Sequence, residues 1–266
     1  TTTLRASAGK GTRVANVLSE NSGVLASART FVFSNLQSNK AYGFKPDVAW
    51  NYGLNFSQDF TLDYRSGTIT VDYFFTDFKN QVVLDLDNTA REARFFGLNG
   101  KSYSHSLQFQ VDYELIRRFD LRMAYRWLNV KTDYTEGLLS KPLIPQHRAF
   151  VNLAYETKNK WKFDYTVQWL GPQRIPDTSL NLPEYQLSQN SPDYFLMNAQ
   201  ITKDFGEKWS VYVGVENILD YKLDDPIVAS NDPFGLNTVE NNFDASMVWG
   251  PIFGTMAYAG FRFRMK

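Results

Sequence analysis

The stretch that decides the fold runs from Leu107 to Leu115 and reads LQFQVDYEL. Apolar side chains occupy its odd-numbered positions, and polar side chains occupy the positions between them: Gln108, Gln110, Asp112 and Glu114. A repeat of two residues is the side-chain alternation of a β-strand, whereas an amphipathic helix repeats about every 3.6 residues. The stretch therefore predicts a strand with one apolar face and one polar face.

The same alternation recurs on both sides of this stretch. Clear runs lie at 48–57, 69–75, 119–127, 161–169 and 209–215, and weaker runs lie at 2–12, 148–156, 194–203 and 256–266. Together with 107–115, these runs predict about ten strands in an all-β protein. No run reaches the ~18 consecutive apolar residues that a transmembrane helix needs.

The connections between these strands alternate between short and long. Short turns are predicted at 65–67, 117–118, 158–160 and 204–207, and long polar loops at 13–46, 87–101, 133–147, 171–193 and 220–255. Outer-membrane barrels have tight periplasmic turns and long extracellular loops, whereas a soluble sandwich has no reason to place every short turn at one end. The pattern favours an antiparallel transmembrane β-barrel in the bacterial outer membrane over a soluble β-rich binding module.

Such a barrel assigns the two faces of each strand to two different environments. Charged side chains are costly against lipid and ordinary in a wet lumen. The residues expected to face lipid are Leu107, Phe109, Val111, Tyr125, Tyr165 and Val213. Thr166 is expected to face the lumen, and the candidates for lining the lumen and contacting a solute are Gln108, Gln110, Arg122, Arg126 and Arg148. The polar faces could contact a plug or line the path of a solute, but the interpretation that we favour is solvation of the lumen and pairing between strands.

Composition supports the same environment. The 28 basic and 28 acidic residues balance, so no general attraction to nucleic acid is expected. The chain lacks cysteine and carries 15 Tyr, 21 Phe and 6 Trp, and tyrosine and tryptophan favour sites that are half apolar and half wet. Aromatic residues next to short turns predict a periplasmic girdle: Phe60, Phe119, Trp161 and Trp209.

Few residues have the spacing of a catalytic or metal site. The only histidines, His105 and His147, lack a metal-ligand spacing, and no Ser, His and acid grouping can be argued from spacing. We predict no metal, no cofactor and no catalytic residue. The alternative is a closed ten-stranded outer-membrane enzyme, in which His147 would lie near Asp133 and Glu136 at the outer rim.

The chain end resembles the last strand of outer-membrane proteins, which the barrel-assembly machinery recognises. It reads YAGFRFRMK from Tyr258 to Lys266, and the residues that match the signal are Gly260, Phe263 and Met265. In that signal a glycine is followed at alternate positions by hydrophobic, usually aromatic, residues. Met265 stands where an aromatic residue is usual.

Four further motifs resemble TonB-dependent outer-membrane receptors, particularly those of Bacteroidetes-type bacteria. GVENILD at 214–220 is similar to the segment that closes the penultimate strand, and ASMVWGPIFG at 245–254 is similar to the approach to the final strand. LRASAGKGTR at 4–13 and FKPD at 44–47, followed by WNYG at 50–53, resemble strands further upstream in the family. These motifs extend over nearly the whole chain.

The resemblance implies a larger protein than this chain. The family's barrel has about 22 strands and an N-terminal plug, so residues 1–266 are expected to be the C-terminal part of the barrel, without the plug domain. The resemblance further implies uptake of a scarce solute with energy from the inner membrane and no enzymatic activity. The expected partners are outer-membrane lipid, the N-terminal barrel strands and plug, TonB and a surface lipoprotein, but not nucleic acid.

Overall fold

The computed structural model describes residues 1–37, 39–236 and 240–265. Its strands are β1 (Thr2–Arg13), β2 (Thr30–Phe33), β3 (Asp47–Leu62), β4 (Arg65–Asn80), β5 (Val82–Asp85), β6 (Glu92–Gly97), β7 (Ser102–Ile116), β8 (Phe119–Tyr134), β9 (Gly137–Ser140), β10 (His147–Glu156), β11 (Trp161–Leu170), β12 (Tyr194–Phe205), β13 (Trp209–Glu216) and β14 (Met256–Phe263). One short helix, α1 (Val17–Glu20), and three 3₁₀ turns, at Ser22–Ala26, Ala41–Gly43 and Pro183–Tyr185, lie between strands. No described helix is long and apolar enough to cross a membrane.

Ten long strands form one antiparallel sheet in the order β1-β3-β4-β7-β8-β10-β11-β12-β13-β14, with β9 added beside β8. Each of the ten predicted strands corresponds to one of these, so the all-β prediction and the strand count are confirmed. Within the described residues β1 and β14 do not pair with each other. The sheet is therefore open, with two free edges.

Register extends each face from strand to strand. On β7, Phe109 lies opposite Val71 of β4 and Tyr125 of β8, and Gln108 lies opposite Asp72 and Arg126. Because directly paired residues of antiparallel strands point to the same side, the apolar and polar positions of separate strands join into two continuous faces.

The first short turn lies earlier than the sequence predicts. The loop between β3 and β4 is Asp63-Tyr64, with φ values of 48° and 60°, which is the backbone of a two-residue hairpin turn. The prediction of a turn at 65–67 was therefore wrong, because those residues already belong to β4. Gly67 is small for a different reason: the ring of Phe60 lies across it, and a Cβ there would be 2.3 Å from Phe60 Cζ.

The other short turns overlap the predicted segments, although Asp204 and Phe205 of the last segment belong to β12. Strands β7 and β8 are joined at Arg117-Arg118, and β10 and β11 at 157–160. Strands β12 and β13 are joined at 206–208. Each turn contains a residue with positive φ, namely Arg118, Lys160 and Gly206, as tight hairpins require.

The long connections at the other end form a packed layer instead of simple polar loops. Strands β2, β6 and β5 form a separate small sheet, and a buried apolar cluster includes Val17, Val24, Phe44 and Phe95. A second cluster joins Ile175 to residues of the last long loop, among them Val228 and Met247. These apolar residues are too scattered along the chain to show a periodicity, so the sequence pattern alone predicted loops.

The motif at 214–220 forms a clasp that closes the last long loop. Asn217, with φ of 50°, accepts the backbone N–H of Tyr221 at 3.1 Å and donates to Tyr221 and Phe253 carbonyls. The Thr255 N–H donates to Asp220 Oδ1 at 2.8 Å, and this hydrogen bond lowers the pKa of Asp220. The expectation that the segment at 214–220 closes the penultimate strand agrees with the end of β13 at Glu216.

Candidate functional site

The polar face carries a row of hydrophilic side chains across six adjacent strands. In register from β1 to β10 these are Arg5, Asn55, Asp72, Gln108, Arg126 and Arg148. Asn55 donates to Asp72 Oδ1 at 2.7 Å. Three of the five predicted lumen-lining residues therefore share one level of the sheet.

The other two predicted residues belong to a closed network one to two levels nearer the short turns. Arg122 of β8 lies opposite Asp112 of β7 and donates from Nε to its Oδ1 at 2.5 Å. Gln110 donates to Asp112 Oδ2 at 2.7 Å. The charge of Arg122 is thus balanced within the chain.

Arg126 and Arg148 are different, because two cations lie directly opposite each other on β8 and β10. Within the part of the chain that the structure describes, neither guanidinium has a carboxylate partner or a side-chain hydrogen bond. Their neighbours in the sheet are neutral: Gln108 and Leu170 beside them, and Ala124, Leu128, Gln146 and Phe150 above and below. Like charges directly opposite are unfavourable, so this pair is unbalanced in the isolated chain.

A cavity of about 360 Å³ adjoins this pair on the side of the long loops. Leu128 and Gln146, which line it, are the next residues on the polar face after Arg126 and Arg148, and Leu128 donates its N–H to the Gln146 carbonyl at 2.8 Å. The cavity is lined by Leu128, Val130, Ser140, Lys141, Ile144, Gln146, His147, Pro172, Arg174 and Asn190. This lining includes two cationic side chains and no carboxylate.

Arg174 is held at this cavity by contacts with three separate segments. Its Nη1 is 2.6 Å from Asp87 Oδ1, its Nε donates to the Ser140 carbonyl at 2.5 Å, and its guanidinium lies 5.6 Å from the Tyr134 ring centroid. Arg174 Nη2 and Asp87 Oδ2 are buried without a hydrogen-bond partner among the described residues. The Asp87 carboxylate therefore balances the charge of Arg174.

A second buried ion pair fixes the loop layer itself. Arg29 Nε is 2.6 Å from Asp244 Oδ2, and both side chains are almost fully buried. The Nη1 of Arg29 also donates to the backbone carbonyls of Leu86, Thr89 and Glu92. The pair thus ties three long connections together above the polar face.

The two histidines lie on the apolar face. His105 Nδ1 is 2.9 Å from Tyr73 Oη and stacks on Phe75, and His147 Nδ1 is 2.7 Å from Tyr125 Oη. No described group of three or more His, Cys, Asp or Glu residues could hold a metal ion. Both histidines belong to an aromatic belt at the loop end of the sheet, with Trp127 and Trp169.

The structure does not bring the proposed catalytic grouping together. His147 bonds Tyr125 on the apolar face, whereas Asp133 accepts a hydrogen bond from the Lys101 N–H at 2.7 Å. This arrangement gives the closed-barrel enzyme no support.

The chain-end motif has a packing role in the structure. Gly260 lies opposite Tyr212, and a Cβ on Gly260 would be 2.4 Å from Tyr212 Oη. In the same way the Tyr258 ring lies across Gly214, and its hydroxyl donates to Gln200 of β12 at 2.9 Å. Phe263 ends β14 and packs 4.5 Å from Trp209 between ring centroids, and Met265 follows as an exposed residue. Recognition of Gly260, Phe263 and Met265 by the assembly machinery remains a prediction.

Sequence reasoning missed Lys141 and Arg174 as functional candidates. Both lie in loops without periodicity, so no pattern in the sequence points to them. The only available signal was the positive charge of these two residues in long connections between strands of the sheet.

Comparisons with known proteins identify the architecture. The family model of the TonB dependent receptor-like β-barrel matches residues 1–218. No curated protein sequence matches the chain significantly.

Solved structures resemble the chain over nearly its whole length. A variant of the ferric enterobactin receptor from Pseudomonas aeruginosa is 16% identical with a TM-score of 0.65, covering 98% of this chain and 38% of that one. The ferric-catecholate import receptor Fiu from Escherichia coli K12 is 14% identical with a TM-score of 0.61, covering 98% and 33%. The copper transporter OprC is 13% identical with a TM-score of 0.66, covering 99% and 37%.

The chain spans between 33% and 38% of the length of these structures. Because the sequence identities are this low, the similarity shows the fold and does not indicate which ligand this chain binds. The open antiparallel sheet has one apolar and one polar face, as outer-membrane barrels do, and the family model covers most of the chain. The chain therefore belongs to the TonB-dependent receptor β-barrel family of the bacterial outer membrane.

Proposed function

We propose that this chain is the C-terminal part of the barrel of an outer-membrane receptor that takes up a scarce solute. The observation that carries the proposal is the polar face, where unbalanced arginines lie beneath a packed layer of long loops. A barrel wall that only excluded lipid would not need uncompensated cations at this level. Uptake against a gradient requires energy, which in this proposal TonB delivers from the inner membrane.

The open sheet supports the proposal that further strands complete the barrel. Edge strands β1 and β14 leave backbone N–H and C=O groups without partners, and the hydrocarbon core of a membrane tolerates such groups very poorly. We propose that N-terminal strands and a plug of the same receptor supply these partners, that a surface lipoprotein can cover the loops, and that the chain has no catalytic role. The Bacteroidetes-type origin stays a prediction.

The experiment uses the complete receptor, expressed in outer membranes of a host that lacks its own receptors. Accumulation of labelled iron chelates, cobalamin, metal ions, oligosaccharides and peptides is measured with and without TonB and with and without an uncoupler of the proton gradient. We expect one solute class to accumulate only when TonB and the gradient are both present. Accumulation that is equal without TonB would show a passive channel and would overturn the proposal.

A further inference from the structure

Four lysines lie at the loop end of the apolar face, on or next to strands β1, β4, β7 and β8. Lys131 of β8 lies opposite Tyr103, which lies opposite Asp77 of β4. Asp77 lies opposite Trp50, which lies opposite Lys10 of β1. Directly opposite residues point to the same side of an antiparallel sheet, so this row belongs to the apolar face. Two further lysines follow one level higher, and we name the four together the lysine rim: Lys10, Lys79, Lys101 and Lys131.

The lysine rim lies immediately above the aromatic belt. Next to His105 the belt continues as a stack of rings whose neighbouring centroids are 6.3, 6.1 and 4.7 Å apart: Trp50, Tyr52, Phe75 and His105. His105 precedes the end of the sheet by two residues from Tyr103, which is about 7 Å along a strand. Aromatic belts mark the boundary between hydrocarbon and headgroups, and the long loops of outer-membrane barrels are extracellular. The lysine rim therefore lies at the headgroup level of the outer leaflet.

The charges of the rim are not balanced within the described chain. Lys79 Nζ is 2.5 Å from Asp77 Oδ2, and Asp133 accepts the backbone N–H of Lys101 at 2.7 Å. Three ammonium groups have neither an ion pair nor a hydrogen-bond acceptor among the described residues: Lys10, Lys101 and Lys131. Four lysines thus face two aspartates, and positive charge is left for a group from outside the chain.

The rim covers only one part of the belt. Between β11 and β12, Trp169 Nε1 donates to Asp193 Oδ2 at 2.8 Å, so a carboxylate lies beside the belt there. At the short-turn end of the same apolar face, Lys203 Nζ lies 5.2 Å from the Trp161 ring centroid and donates to the Asn159 carbonyl. The unpaired ammonium groups of the rim are therefore a feature of strands β1 to β8 and not of every lysine at the membrane interface.

We propose that the lysine rim binds the phosphate groups of lipopolysaccharide, the phosphorylated glycolipid of the outer leaflet. Lysine can lay its methylene stem along apolar surface while its ammonium group stays at the headgroup level. An ammonium group binds phosphate as a point charge, and each lysine near the membrane surface adds to the attraction for anionic headgroups. This inference goes beyond the proposed function, because a lipid site on the outer wall does not depend on which solute passes through the lumen.

The test uses the complete receptor in nonionic detergent and fluorescent lipid A as the probe, in its bisphosphorylated form and with both phosphates removed. Equilibrium binding compares the wild type with Lys101→Gln, Lys131→Gln and the double variant. Each single substitution should weaken binding of bisphosphorylated lipid A about fivefold, and the double substitution more than tenfold. The dephosphorylated probe should bind the wild type more weakly, and the substitutions should not weaken its binding further.

The matched control is Lys203→Gln, because Lys203 lies on the same apolar face at its short-turn end. This variant should bind lipid A as the wild type does, and heat-modifiable electrophoretic mobility confirms that each variant is a folded barrel. Equal affinity of the wild type and the double variant for bisphosphorylated lipid A would overturn the inference, as would an equal loss in Lys203→Gln. Inorganic phosphate that binds the wild type as tightly as lipid A, and is lost in the double variant, would show a site for free phosphate and would overturn it too.

Discussion

Phe109 lies on the apolar face of β7, midway between the two aromatic ends of that face. Tyr113 contacts Phe60 near the short turns, and His105 stacks in the belt near the loops. Eight residues separate Tyr113 from His105, or about 26 Å along a strand at ~3.3 Å per residue. Phe109 therefore lies about 13 Å along the strand from either end, and it is 45% exposed in the chain alone. We expect it to lie near the centre of the hydrocarbon.

The Phe109→Arg substitution should consequently destabilise the complete barrel in a bilayer by about 2 to 4 kcal/mol, because arginine at the midplane loses hydration. Tyr113→Arg, at the interface, should cost only ~0 to 1 kcal/mol. The control is Gln110→Arg on the polar face, where Asp112 lies within reach. The measurement is guanidinium-induced unfolding of the complete receptor in phospholipid vesicles, followed by tryptophan fluorescence. Equal losses for Phe109→Arg and Gln110→Arg would refute the assignment of faces.

Three further predictions concern packing, acid stability and topology. Gly214→Ala should destabilise the barrel by about 1 to 3 kcal/mol. The added Cβ would be 2.3 Å from Tyr258 Cζ and would break the Tyr258–Gln200 hydrogen bond. Near-additive losses of stability in a double-mutant cycle with Tyr258→Ala would contradict this. The pKa of Asp220 is lowered in the folded state. Its hydrogen bond to Thr255 should therefore stabilise the clasp at pH values above its ordinary pKa of 3.8, and this stabilisation should be lost as pH falls through the folded pKa. Hydrogen exchange at the Thr255 amide checks this, and Asp220→Asn should remove the pH dependence. In intact cells, a maleimide too large to cross the outer membrane should label Phe234→Cys but not Lys208→Cys, and the reverse pattern, with both thiols reactive in lysed cells, would invert the orientation.

The sequence alone was sufficient for the strands, their faces and the family. Side-chain alternation is a property of consecutive residues. LQFQVDYEL and the other alternating segments of the chain therefore predict strands without knowledge of which strands lie beside them. The lengths of the connections are equally local, and they separated the turn end from the loop end. The turn predicted at 65–67 was wrong, because these residues begin β4 and Gly67 accommodates the ring of Phe60 from the neighbouring strand.

Tertiary structure alone decided which polar residues are balanced and which are not. Sequence reasoning placed Arg122, Arg126 and Arg148 in one group, but register puts Arg122 opposite Asp112 and puts the other two opposite each other. Register depends on pairing between distant segments, and the loop layer depends on contacts such as Arg29–Asp244, which are 215 residues apart. Such contacts leave no periodic trace in the chain, which is why Lys141 and Arg174 joined the site only when the fold brought their loops over the polar face.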